Sequence, residues 1–512
     1  MILLVEPISK NADLYVPAYP LPIMEIGSYI KSVRPEIEIG VISMPVDYGL
    51  PLTREGRLRI HEEVISDLLE LRPKGVGISC TAIAQAEETI ALCEMIKSHV
   101  PDIFTFLGGY FPTLYYEEIF SRTSAVDLVV VGEGEISALR IAELLEEGKS
   151  PLKEDIPNTA WKEGGAIHSN VKRVAFDLTQ RALLNMDLLR FPKEYDVLPY
   201  AFSRGCSFDC HFCMEGAIRP TRRVMSWEMV HADLTNLARK SMARTLLISD
   251  ALFTSFDKLE RLKGLGMQFN FETRCDVLDP GVIPRIAEQC GIIAMGLESA
   301  SYNSLMRMNK IKNREHHERY LSNAAAIFRE ASRCEVPVMV FMIAGYPGDT
   351  EDDLQQSMAF AEKLSDMTGP GGHVFKIGEC RIYPKTKLYH TASSMPEVVF
   401  DDRGVFADNV VRRPSRTLDL DTVSTYMSKI FGLSNNTPKM QTALSRVMPL
   451  FRIPAKGLKD RIIPDACFRG DSRDILRVQG ESLSILRGKL QELRQKYKDA
   501  LPNLRESREL DT

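Results

Sequence analysis

"SRGCSFDCHFCM", residues 203–214, holds three of the chain's ten cysteines within eight positions, spaced Cys206-x3-Cys210-x2-Cys213. Thiols gathered this closely form a metal or redox site before anything else. The stretch begins in an apolar run, "LPYAFSRG" (198–205), and is followed by a segment of helical period, "WEMVHADLTNLARK" (227–240). It therefore reads as the connection of a strand–loop–helix unit. Five further strand candidates follow: "RTLLISD" (244–250), "QFNFETRCD" (268–276), "GIIAMGLES" (291–299), "VPVMVFMIAGYP" (336–347) and "HVFKIGECRIYP" (373–384). Helical stretches separate them. Such a βα series predicts a partial (β/α)6 barrel, with chemistry at the strand ends.

Upstream, the first ~145 residues also alternate. "MILLVEP" (1–7), "IEIGVISM" (37–44), "GVGISC" (75–80), "IFTFLGG" (103–109) and "DLVVVGEGE" (127–135) read as strands between helices. That is the pattern of a doubly wound parallel α/β sheet, which binds ligands at the carboxyl ends of its strands. Gly108-Gly109 and Gly132-Glu133-Gly134-Glu135 fall at those ends. The expected organisation is a Rossmann-like domain over 1–145, a linker over 146–195 with a hairpin at "KEGG", a barrel over 196–395 and a mostly helical region over 396–512. In the last, Leu483, Leu486, Leu490, Leu493 and Tyr497 share one helix face.

With 512 residues, 44 % apolar content and a formal net charge of -5, the chain has globular composition and no broad basic surface for nucleic acid or anionic membranes. The first strand lacks a basic segment before it, and the longest apolar run is too short to span a bilayer, so a cytoplasmic protein is expected. The other seven cysteines are isolated and read as small buried hydrophobes.

Three cysteines and His211 could hold zinc as a Cys3His site. A 4Fe–4S cubane is ordinarily held by four cysteines. Three would leave one iron open, which is what a catalytic metal requires. The spacing, with aromatic Phe212 before the last cysteine and a βα series around it, resembles the signature of the radical SAM superfamily. The resemblance extends to "ISDALFT" (Asp250), "ETRCD" (Arg274), "MGLESA" (Glu298, Ser299), "AGYPGDTED" (Gly345) and "YPKTKLY". The N-terminal half resembles the cobalamin-binding-type domain fused ahead of many such enzymes.

This resemblance implies a 4Fe–4S cluster on Cys206, Cys210 and Cys213. It implies S-adenosylmethionine (SAM) chelated by the open iron, and an external electron donor such as flavodoxin or ferredoxin. One electron then splits SAM into methionine and a 5'-deoxyadenosyl radical. Glu272, Arg274 and Asp276 share a strand face and should look into a polar cavity, with Cys275 turned to the helix layer. Glu379 and Arg381 share a face likewise, with Cys380 on the other. Arg274 could pair with the SAM carboxylate or a substrate anion. Glu298 could accept from the ribose hydroxyls or amino group, and Asp250 could do the same or orient substrate. Phe212, Ser299 and Gly345 complete the expected SAM surroundings. Each charged group could instead serve an internal salt bridge.

Cobalamin is the second implied cofactor, with Asp47, Tyr48, Gly108 and Gly109 as candidate contacts. The DxHxxG motif that supplies a lower axial histidine is absent, since no histidine precedes His61. Cobalamin could bind without a protein nitrogen, another side chain could cover its lower face, or the domain could shape only the substrate site. The resemblance implies a class B-type methyltransferase that methylates an unactivated carbon of a small metabolite. Alternatives are a radical SAM cyclisation, rearrangement, oxidation or coupling, and a non-catalytic zinc scaffold.

Overall fold

The computed structural model describes residues 1–9, 18–49, 54–153, 155–172, 174–192, 195, 197–367, 369–400 and 410–447. Short apolar runs form the first sheet: β1 (Ile2–Glu6), β2 (Ile39–Ser43), β3 (Gly75–Ser79), β4 (Phe104–Gly108) and β5 (Leu128–Val130) are parallel. Their side chains alternate between two cores. Ile2, Leu4, Val41 and Phe106 enter one; Leu3, Val5, Ile42 and Leu107 enter the other. Both faces are thus covered by helices, as a parallel sheet requires. The order β2-β1-β3-β4-β5 puts a topological switch between β1 and β3.

The "KEGG" hairpin forms as β6 (Thr159–Glu163) and β7 (Ala166–Asn170). It does not stand apart as linker: β6 pairs antiparallel with β5 and extends the first sheet to seven strands. The reason is local, because β5 would otherwise leave an edge unpaired.

The second sheet is a six-stranded open barrel. Its strands are β8 (Val197–Tyr200), β11 (Thr245–Ile248), β12 (Gln268–Arg274), β13 (Cys290–Glu298), β14 (Val338–Ala344) and β15 (His373–Glu379), all parallel and in chain order. Two short strands, β9 (Ser203–Arg204) and β10 (Arg223–Val224), clasp the ends of the cysteine loop. Helix Pro438–Val447 closes the barrel interior from one end, with Met440, Ala443 and Leu444 packed on Ile292, Ala294, Met339 and Val374. The helix face at Leu483–Tyr497 lies outside the described residues. No described helix is long and apolar enough to cross a membrane.

Buried His373 at the start of β15 gives the fold an acid sensitivity. Its ring packs against Phe328 and Phe375, and its Nε2 lies 2.9 Å from the Leu433 carbonyl. Burial lowers its pKa from 6.5 to about 4, against the opposing effect of that carbonyl. The unfolded ring takes up a proton that the folded one refuses, so stability falls as pH drops through the window between these two values. The expected loss is about 2 kcal/mol at about pH 5. Urea midpoints at neutral and acid pH test this, and His373→Gln should flatten the dependence.

Candidate active site

The cysteine loop is held from three sides by backbone. Cys206 N–H donates to the Arg219 carbonyl, His211 N–H to Met308, and Leu388 N–H to the His211 carbonyl. Gly205, just before the first cysteine, has φ +81, and a Cβ there would lie 2.2 Å from the Thr221 carbonyl oxygen. Only glycine fits. Asp250 fastens the same stretch: its carboxylate accepts from Phe202 N–H at 2.6 Å and from the Ser203 hydroxyl. Burial pushes its carboxyl up, and these hydrogen bonds oppose the shift. Both oxygens of Asp250 are thus engaged by the loop entry.

The three thiols are half-buried and free of disulfides. Burial raises Cys213 to about 11 and raises Cys210, where Lys310 and Arg274 work in the opposite direction. The Arg274 Nη1 lies 3.2 Å from the Cys210 Sγ, and its guanidinium stacks 3.8 Å over Phe208. Three further donors are taken, two by Asp276 at 2.8 Å each and one by the Lys310 carbonyl. Arg274 therefore carries the internal ion pair and a positive charge against the thiols, rather than an open fork.

Among the described residues, no three His, Cys, Asp or Glu side chains converge as the ligands of one metal ion. A cubane distributes its thiolates over separate irons and does not need three of them on one ion. The donor set fits the cubane.

Glu298 ends β13 at a register shift, with φ +59. Non-glycine residues in that region are held there by their surroundings, often at functional sites. Its Oε1 accepts from the Lys310 ammonium at 2.6 Å, while its buried Oε2 has no partner. Gly296 leaves the room, since a Cβ there would meet Glu298 Oε1 at 3.0 Å. Burial is the largest influence on Lys310 and lowers it, but Glu298 and Cys210 together turn the net direction upward. Lys310 was not legible in "RMNKIKN", which has no periodic or motif signal.

Ser299 bonds Ser357 and the Ser301 N–H, inside a buried hydroxyl network. Gly345, with φ +72, lies against Pro414 and Val423, so it turns the chain beneath the C-terminal helices. Phe212 packs on the main core. Cys275 is buried against Tyr320 of helix Arg314–Arg333, on the helix side as its alternation requires, and Cys380 is buried too.

The carboxyl edge of the first sheet carries the cobalamin candidates. Gly109 has φ +106, and a Cβ there would lie 2.4 Å from the Cys80 carbonyl oxygen. At Gly108 and Gly132 an added Cβ would meet nothing within 4 Å, so the edge presents bare backbone beside open space. The Asp47 Oδ1 is buried without a partner there, and burial raises this carboxyl to about 7 despite the Ser43 N–H on Oδ2. Tyr48 instead donates to Asp67 at 2.7 Å. A flat edge with an orphaned acceptor fits a large amide-bearing ring. His61 is buried beside Glu88 in the helix layer and offers no axial nitrogen.

The two edges meet. Tyr110, next to Gly109, donates to Glu215 at 2.6 Å and contacts Arg219; Glu215 lies two residues past Cys213 and also accepts from Gly205 N–H. Arg204 and Arg223, on β9 and β10, bind Glu25, Glu133 and Glu135 of the N-terminal half. Sequence reading missed this clasp, although Tyr110 follows a flagged glycine pair.

Comparison with known proteins matches residues 46–142 to the B12 binding domain and 200–361 to the radical SAM superfamily. The chain carries a domain of the radical SAM superfamily. Its members use a 4Fe–4S cluster and SAM, and its B12-binding domain takes cobalamin. This radical SAM protein is 27 % identical over 232 residues to the hopanoid C-3 methylase of Methylococcus capsulatus, covering 43 % of each chain. It is 24 % identical over 326 residues to the anaerobic magnesium-protoporphyrin IX monomethyl ester cyclase of Rubrivivax gelatinosus, covering 59 % of this chain and 56 % of the other. The chain thus spans about half the length of these curated relatives. In fold it matches the radical SAM methyltransferase TsrM from Kitasatospora setae with cobalamin and cluster bound. There the TM-score is 0.64 at 12 % identity, over 85 % of this chain and 89 % of that one.

Proposed function

We propose that this radical SAM protein is a cobalamin-dependent methyltransferase acting on an unactivated carbon of a small metabolite. The observation that carries this reading is the Tyr110–Glu215–Arg219 bridge, which ties the bare glycine edge of the first sheet directly to the cysteine loop. An enzyme that uses two cofactors in one turnover needs them at a fixed separation. The methylase relative supports the same reading.

When bound, the cluster supplies the electron that splits SAM and cobalamin supplies the methyl carrier. The chain's own residues hold and orient. Cys206, Cys210 and Cys213 hold the cluster. Arg274 balances the charge of the Cys210 thiolate. The free Oε2 of Glu298 accepts a hydrogen bond from SAM's hydroxyl or amino donors, with Lys310 fixing the carboxylate. Asp250 positions the loop entry. Gly108, Gly109 and Asp47 receive the corrin. An external one-electron donor completes the cycle, and the enzyme works in the cytoplasm.

The cyclase relative supports a second reading, ring closure by a radical without methyl transfer. The test is anaerobic incubation of the cobalamin- and cluster-loaded protein with reductant, methyl-deuterated SAM and a metabolite extract. S-adenosylhomocysteine together with 5'-deoxyadenosine, and a labelled product, is the expected outcome. 5'-Deoxyadenosine without S-adenosylhomocysteine or label would replace methyl transfer with the second reading.

A further inference from the structure

Glu272 sits in the middle of β12, a central strand, yet its side chain is exposed. It shares the inward face with Arg274, which touches the cysteine loop, and so lies about 7 Å below it along the strand. Register places Glu272 level with Ala294, Met339 and Val374. Those three pack on Met440, Ala443 and Leu444, which make an apolar floor. One level up, Arg274 aligns with Gly296, Phe341 and Lys376, whose ammonium lies 5.3 Å over the Phe341 ring. The side chain of Glu272 therefore opens on an internal space bounded by the barrel wall, the floor and the cysteine loop.

Around this space the other acids are engaged. Asp250 accepts from Phe202 and Ser203, Asp276 from Arg274, and Glu298 from Lys310. The Glu272 carboxylate has no hydrogen bond or ion pair among the described residues. Protein crowds it enough that burial raises its pKa, with Lys376 the main opposing charge. The exposed carboxylate is left to water in that space, and a ligand's donor can take the water's place. Stability gives no reason for it, because an alanine or leucine would pack the same position.

We propose that the barrel interior binds its substrate through a cationic amine nitrogen seated on Glu272, with the apolar part of the molecule against Phe341. This rests on the reading of the protein as a radical SAM enzyme whose substrate lies below the cysteine loop. It adds the chemical class of that substrate: a small molecule with a basic nitrogen.

The test titrates the reconstituted protein, with SAM, against primary amines and free amino acids and against their N-acetyl counterparts, following melting temperature and binding heat. Free amines should stabilise the protein and the acetylated forms should not. Glu272→Gln, nearly isosteric, should bind the responding amines about tenfold or more weakly. Its iron content and its melting temperature without ligand report whether it folds. If it melts early, Glu272→Asp, which keeps the charge, should retain the amine preference. Equal response to free and acetylated forms, an unchanged Glu272→Gln, or no response to any amine overturns the proposal. Loss of the methyl-transfer reading registers separately, as absent S-adenosylhomocysteine with amine binding intact.

Discussion

Cys210→Ala protein should purify without the brown iron–sulfur absorbance and form no 5'-deoxyadenosine above background. The loop holds three free thiols, so a cubane would lose one of its three protein anchors. The fold should survive. The loop is fastened by the Arg219, Met308 and Leu388 backbone bonds, none of which needs the thiol. Cys380→Ala is the control, because Cys380 lies outside the Cys206–Cys213 stretch and is buried, and its loss leaves a small cavity costing about 1–3 kcal/mol. Visible absorbance, iron content and nucleoside chromatography separate the two variants. A brown, active Cys210→Ala protein would remove this thiol from the cluster.

Lys310→Met should cost about 3–5 kcal/mol of stability and raise the concentration of SAM needed for half-saturation at least ~10-fold. Lys310 is 3 % exposed and its ammonium is 2.6 Å from Glu298. Removing it strands a buried carboxylate already held at φ +59, with one oxygen unpartnered. The stranded group relaxes by moving, which spoils Oε2 as an acceptor. The double variant Lys310→Met/Glu298→Gln should recover much of the stability without recovering SAM binding. Denaturation midpoints and anaerobic equilibrium dialysis provide the two readouts. Single and double variants of equal stability would mean the pair is not coupled.

The strands of both sheets were legible because each is a short apolar run closed by polar or glycine residues, as in "RTLLISD" and "IFTFLGG". Alternation also located Glu272 and Arg274 on one face. Pairing across long separations was not legible. "TAWKE" reads as linker because nothing local in it states that β5 needs an antiparallel partner. Lys310, the Glu133–Arg223 pair and the Tyr110–Glu215 bond join residues 12, 90 and 105 positions apart. One sequence carries no record of such distances. Arg274 illustrates the converse: its residue type suggested an open fork, and only the structure reveals Asp276 occupying it.

The clasp between the halves also governs how the protein can move. Arg204 is 6 % exposed and shared among Glu25, Glu133 and Glu135. Swinging one sheet away from the other would strip several desolvated charges at once, each break costing several kcal/mol. The molecule is thus built as a chassis rather than a hinge. Any sequence of events inside it has to be timed by small molecules entering and leaving, while the two work surfaces stay at a constant gap.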